Sequence, residues 1–332
     1  MKTIIPTLLL LILVSCTNNR KFPEVKDLSV YKNTSFNPTL EHKISSDKNH
    51  VYCATLLLAW DEVRKQMAPP LTVPEDFYDL KMLDQSTSYM EVLKPDEYDA
   101  FGGRTDTLIT ARAEFNKSLP FEINLNSYTD RLVFDNQKVS SFGVTPNDSY
   151  EQRKIVRIIY YKNDHNFAIK LLPEDKQHEI VLFMTEQNFN TLGEMTNELG
   201  KLAEAGNNER KIEKTQWKYS FADDDEVVIP KFNFNIETRF ETMEGNFFSD
   251  IKQQFQIVEA RQRTAFILDE AGAEVESEAE FEAATEEMEV EGPRQQKKMV
   301  FDQPFFILLQ RTDTKNPYFV LWVANAELMV GE

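Results

Sequence analysis

The sequence predicts an α+β fold with mixed and antiparallel sheets, on three observations. From Ala273 to Glu282 uncharged side chains and glutamates alternate without a break. Three short apolar runs, 155–161, 167–172 and 180–185, are separated by turn-forming stretches. Two further stretches, 53–67 and 192–202, repeat their apolar residues at helical spacing. Period two marks a strand, because successive side chains on an extended backbone face opposite ways, and a period near 3.6 marks a helix. Strands joined as a meander, with helices set apart from them, make an α+β arrangement.

Taken in order, residues 1–16, MKTIIPTLLLLILVSC, have a basic start and an apolar run of signal-peptide length, too short to span a bilayer. Leu13-Val14-Ser15-Cys16 resembles a bacterial lipoprotein box, in which cleavage precedes Cys16 and lipid is attached to its thiol. The expected organisation is a signal peptide over 1–15, a lipid-anchored linker over 16–48 and a folded domain over 49–332. Thr17, standing where Asp would retain the protein at the inner membrane, points to the outer membrane of the cell envelope. The periplasmic and surface faces both stay open. With Cys16 acylated, Cys53 is the remaining thiol and no intrachain disulfide forms. Its place in the apolar run 51–60 reads as a buried, inert group.

Length and composition set the scale. A chain of 332 residues with 41% hydrophobic content buries a sizeable core. Its formal charge of -18 argues against nucleic acids and anionic membrane surfaces as partners, since both are polyanions.

Leu56, Leu57, Trp60, Val63 and Met67 predict an amphipathic helix from Cys53 to Met67, with Asp61, Glu62 and Lys65 outward. Pro69 and Pro70 stop it. Residues 71–106 read as short irregular or helical pieces, and Thr107 to Phe115 as a central strand. After the meander, Leu192, Met195, Leu199 and Leu202 predict a short helix ended at Ala205-Gly206-Asn207-Asn208. In Val227 to Ile236 the alternation changes phase at Pro230, as a bulge or kink would cause. Two apolar runs, Phe305 to Leu309 and Tyr318 to Val323, close the chain around a turn at 312–317.

Catalytic constellations are absent from the sequence. His42, His50, His165 and His178 lack metal-ligand spacing, and there is no nucleophile elbow, Walker loop or dinucleotide fingerprint. Asp223-Asp224-Asp225-Glu226 lacks the central Gly of a calcium loop and reads as an exposed turn. No metal, no cofactor and no enzymatic activity are expected.

Several stretches together resemble the serpins. Asp269-Glu270-Ala271-Gly272-Ala273-Glu274 is similar to the family's hinge, and Phe301-Asp302-Gln303-Pro304-Phe305 to the aromatic and proline run that follows its reactive loop. Phe319-Val320-Leu321-Trp322-Val323 resembles the last strand, with Leu321 in place of the usual Gly. Leu108 to Phe121 resembles the strand and turn that lead to a conserved Trp, here Leu119, and Val227 to Ile236 resembles a strand that switches sheets. Asn49 to Ala54 is distantly similar to the entry into an early helix, with Cys53-Ala54 in place of Ser-Pro. Only about forty residues lie where the family carries several helices, so the resemblance implies a serpin-like fold with a shortened N-terminal helical lobe and an exposed acidic reactive-type loop over 270–298.

What the resemblance implies about function is protease inhibition by a monomer. A serine or cysteine protease cuts the loop, and the hinge, with Glu270, Gly272, Ala273, Val275, Ser277 and Ala279, inserts as a new strand. Counting from Gly272 places the cut near Glu286-Glu287, and counting back from Phe301 places it near Pro293-Arg294; Met288 and Val290 lie in the same window. Against insertion, five glutamates would share one strand face at roughly 7 Å spacing, where like charges repel. Two alternatives stand beside it: a non-inhibitory binding protein whose acidic loop recognises a basic partner, and a loop that is merely solvated or helical, since Ala and Glu both favour helix.

Overall fold

The computed structural model of the chain describes residues 21–105, 108–274 and 295–332. Strands β1 (Lys26–Asp27), β2 (Thr34–Phe36) and β3 (Asn49–Cys53) lead into helix α1 (Thr55–Lys65). Helix α2 (Tyr78–Gln85), the ribbon β4 (Asp99–Arg104) and β5 (Ile109–Glu114), and the short β6 (Ser118–Pro120) follow. Next come β7 (Asn126–Phe134), β8 (Gln137–Val144) and the single-turn helix α3 (Tyr150–Arg153). The meander is β9 (Val156–Asn163), β10 (Asn166–Leu171) and β11 (His178–Met184), followed by helix α4 (Leu192–Glu209). Strands β12 (Glu226–Pro230), β13 (Phe232–Arg239), β14 (Phe247–Ser249), β15 (Gln254–Gln256), β16 (Arg261–Asp269) and β17 (Gly272–Glu274) precede the acidic segment. Beyond it lie β18 (Lys298–Val300), β19 (Phe305–Arg311) and β20 (Phe319–Val323).

Among the described residues these strands form three main sheets and two ribbons. The largest has the order β2-β3-β20-β19-β11-β10-β9, the second β1-β13-β16-β17-β6, and the third β18-β12-β8-β7. Strands β3, β11 and β20 are buried at every position, because the central strands of the largest sheet are covered on both faces. That double cover explains why they read as continuous apolar runs instead of alternating ones. The first two sheets pack face to face through aromatic rings: Phe266 stacks on Phe319 at 4.6 Å, and Phe232 meets Phe305 edge-on at 6.3 Å.

The phase change at Pro230 is a change of sheet. Pro230 ends β12, which pairs with β8, and Phe232 starts β13, which pairs with β16. Lys231 between them donates its amide to Ser140 O at 2.9 Å, so the crossing strand loses no backbone partner.

Four expectations need correction. Residues 26–27 and 34–36, read as linker, pair with β13 and β3, so the folded body begins before residue 49. Cys53, expected to open the helix, instead ends strand β3, because β20 takes up its backbone groups, and α1 starts at Thr55. The expected central strand is divided: β5 pairs with β4 in a ribbon, and only β6 reaches the second sheet. Helix α4 runs through Gly206 to Glu209. Gly206 is there for close packing, since a Cβ on it would lie 2.1 Å from Ile159 O of β9.

Candidate functional site: the hinge strand and the two roots of the acidic loop

The hinge begins where β16 ends. The chain turns at Glu270-Ala271 and returns as β17, which pairs antiparallel with β16 through Asp269–Gly272, Leu268–Ala273 and Ile267–Glu274. On its other side β17 pairs antiparallel with β6, Ala273 lying opposite Leu119. Ala273 and Leu119 are both buried. Three hinge residues therefore already sit as a strand between two others, and the sequence-predicted Glu270, Gly272 and Ala273 are brought together at one end of the second sheet.

Gly272 makes this seat possible. Its φ is +129°, and a Cβ there would stand 2.3 Å from Leu119 O and 2.7 Å from Pro120 Cα. A side chain has neither the conformation nor the space. The turn is tied down by Asp269, which accepts the Ala271 amide at 2.9 Å, and by Glu270 O, which accepts the Leu125 amide at 2.8 Å. The Glu270 carboxylate pairs with Lys231 Nζ at 2.5 Å, joining the hinge to the segment that crosses between sheets.

The other root was not legible in the sequence. Lys297 is fully buried, and its Nζ meets Asp225 Oδ2 at 2.9 Å and Ser220 O at 2.8 Å. The same lysine's amide donates to Asp225 Oδ1 at 2.8 Å, and its charge lies 5.5 Å from the Trp217 ring. This corrects the reading of 223–226 as an exposed turn: Asp223 and Asp224 are exposed, but Asp225 is wholly buried because it neutralises Lys297. Strand β18 then lies parallel to β12, and buried Phe301 packs edge-on against Phe167 at 5.0 Å.

A second buried network holds the β6 wall. Lys117, just before β6, donates to Glu97 Oε1 at 2.9 Å, and the same oxygen accepts from His178 Nε2 and Arg311 Nη1, both at 2.7 Å. Burial opposes the Glu97 charge, but hydrogen bonds from the Lys94 amide, Lys117 and His178 outweigh it and bring its pKa down to about 2. Burial, reinforced by the Lys117 charge, lowers the pKa of His178 and keeps the ring neutral. Sequence reading saw His178 only as an isolated histidine. The signal it missed is tertiary, because Glu97, Lys117, His178 and Arg311 are dispersed over more than two hundred residues.

Below the hinge strand, residues 261–266 of β16 have a partner only on the β13 side, and β5 only on the β4 side, among the described residues. Both strands pack on α1. Gln262 and Thr264 point inward and are buried, with Gln262 Nε2 donating to Thr264 Oγ1 at 3.1 Å and to Cys53 O at 3.5 Å. Arg261 and Arg263 of β16 are exposed, as is Arg112 of β5, which pairs with Glu114. Cys53 is buried and burial pushes its thiol up, in keeping with an inert group. No group of three or more metal-ligating side chains is assembled among the described residues.

The remaining candidates, Val275, Ser277, Ala279, Glu286, Glu287, Met288, Val290, Pro293 and Arg294 in the loop and Cys16 at the N-terminus, lie outside the described residues.

Comparison with known proteins gives a match to the family profile "Serpin (serine protease inhibitor)" over residues 137–325, more than half of the chain. A search of curated proteins finds no match. Among solved structures the chain is similar to thyroxine-binding globulin in complex with thyroxine, at 9% identity and a TM-score of 0.37, covering 76% of this chain and 64% of that one. It is also similar to a serpin from the trematode Schistosoma haematobium, at 11% identity and a TM-score of 0.37, with coverages of 67% and 58%. A serpin from Schistosoma mansoni matches at 12% identity and a TM-score of 0.38, with coverages of 74% and 62%. The chain thus spans about three fifths of the length of these structures. On the profile match, which runs from β8 to the end of β20 and takes in both roots of the loop, the chain belongs to the serpin family.

Proposed function

We propose that this protein inhibits a serine or cysteine protease by loop cleavage and strand insertion, acting as a monomer on a lipid anchor in the cell envelope. The observation that carries the reading is the hinge strand β17, whose three residues pair on both sides at one end of the second sheet.

Counting on from the pair Ile267–Glu274, a strand continued after cleavage sets Val275, Ser277 and Ala279 opposite Phe266, Thr264 and Gln262, which are the buried positions of β16. The same register sets Glu278 opposite Arg263 and Glu280 opposite Arg261, which are exposed. Parity and charge agree. Opposite charges directly across a strand pair contribute roughly 0.2–1 kcal/mol each, so the two arginines offset the repulsion along the glutamate row.

Leu13 to Cys16 supports the anchor, and Thr17 in place of Asp supports an outer-membrane location. A second reading, a non-inhibitory serpin whose loop binds a basic partner, draws on the eight glutamates and one arginine of residues 275–294. Thermal unfolding of residues 20–332 before and after limited proteolysis within 286–298 separates the two. A rise of many degrees on cleavage, together with a covalent complex stable in denaturing gels, is expected for the inhibitor. An unchanged midpoint and no complex would favour the binding protein.

A further inference from the structure

Strand β1 is parallel to β13, with Lys26 opposite Ile236 and Asp27 opposite Glu237. Strand β13 starts at Phe232, opposite Leu268 beside the hinge turn, and ends at Arg239, opposite Arg261 at the far end of the sheet. The parallel sense therefore sends the residues before Lys26 toward the hinge end. Asn235 Nδ2 donates to Pro23 O at 2.8 Å, so these residues follow β13 and do not peel away from it. By the same register Lys21 comes level with Lys231, the partner of Glu270 in the hinge turn. The N-terminal exit and the hinge thus share one pole of the body. The ribbon β14–β15, which leaves after the far end of β13 and returns before the start of β16, marks the opposite pole.

We infer that the lipid anchor holds the reactive-loop pole toward the bilayer. The inference rests on the anchor proposed above. Six residues lie between Cys16 and Pro23, so the seven Cα–Cα steps reach about 25 Å when fully extended. The nine residues of β16 rise about 30 Å, so the tether is shorter than the sheet is tall.

The test uses the full chain, made in a bacterial host that acylates lipoproteins and reconstituted in phosphatidylcholine vesicles carrying a headgroup-labelled acceptor lipid. A donor dye goes on Ile123→Cys, exposed next to the hinge turn, or on Ile251→Cys, exposed in the β14–β15 turn; native Cys53 is buried. Energy transfer is expected to be several-fold stronger from position 123 than from 251, and to become equal when a flexible 24-residue Gly/Ser insert follows Asn19. Vesicles that carry the protein but show equal or reversed transfer overturn the orientation and leave the anchor standing. Protein that does not float with the vesicles overturns both. Neither readout depends on inhibition, so failure of the inhibitory reading shows separately in the unfolding assay.

Discussion

Replacing Gly272 with alanine tests whether the seated hinge starts strand insertion. A Cβ at this position would lie 2.3 Å from Leu119 O, 2.7 Å from Pro120 Cα and 3.0 Å from Phe121 N, all of them backbone atoms that no rotamer change relieves. The φ of +129° adds strain of about 1–3 kcal/mol for a residue with a side chain. Against this stands what the seat contributes. Burying the Ala273 methyl is worth about 0.8 kcal/mol, and each net backbone hydrogen bond of β17 about 0.5–1.5 kcal/mol. The two sides are of similar size before the clash is counted, so the alanine variant unseats the hinge. In the intact protein only three residues of pairing are lost, and the unfolding midpoint falls by a few degrees. After cleavage the rise in midpoint is expected to disappear, and hydrogen exchange at residues 118–121 and 272–274 to quicken. A variant that keeps these amides protected and still gains the full rise on cleavage would refute the reasoning.

The other predictions concern charge and pH. Ala273→Arg places a cation at a buried position and should abolish inhibition while the body still folds; unchanged inhibition counts against insertion. The double change Arg261→Glu and Arg263→Glu turns two attractive cross-strand pairs repulsive and should lower the midpoint of the cleaved form by a few degrees more than that of the intact form, both measured calorimetrically. Lys297→Met leaves Asp225 charged and buried, and urea unfolding should show a loss of about 3–5 kcal/mol. Burial lowers the pKa of His50 to about 4, so its neutral form contributes stability above the unfolded value of 6.5 that is lost as pH falls toward 4. Glu97, held down to about 2, contributes stability above 4.5 that is lost only below it. Midpoints recorded from pH 8 to 2 should fall in those two windows, and His50→Asn should flatten the first.

Elements whose signal is local were legible in the sequence. The meander and the closing hairpin follow from apolar runs and their punctuation, and each appears within a residue or two of its expected place; at Pro230 the pattern marked a kink, and the change of sheet was implied by the family resemblance. Gly272 could be singled out from the hinge resemblance, and the structure supplies the reason a Cβ is excluded there. The start of α1 was placed two residues early, at Cys53, because the apolar run 51–60 continues from β3 into the helix, and only the distant β20 marks Cys53 as strand. Lys297–Asp225 and Glu97–Lys117 escaped for the same reason: a buried ion pair is made by two residues that look like ordinary surface until the fold joins them.

Strand β20 lies between β3 and β19 in the largest sheet, and Asn49 of β3 is bonded to Asn325, close to the end of the chain. The middle of that sheet therefore cannot close until residues 319–325 have been made. Pairings this distant in sequence form slowly. The lipid anchor proposed above requires export, and for such a route the delay is an advantage, since a chain still unfolded can be threaded through a translocation channel and complete its central sheet on the far side.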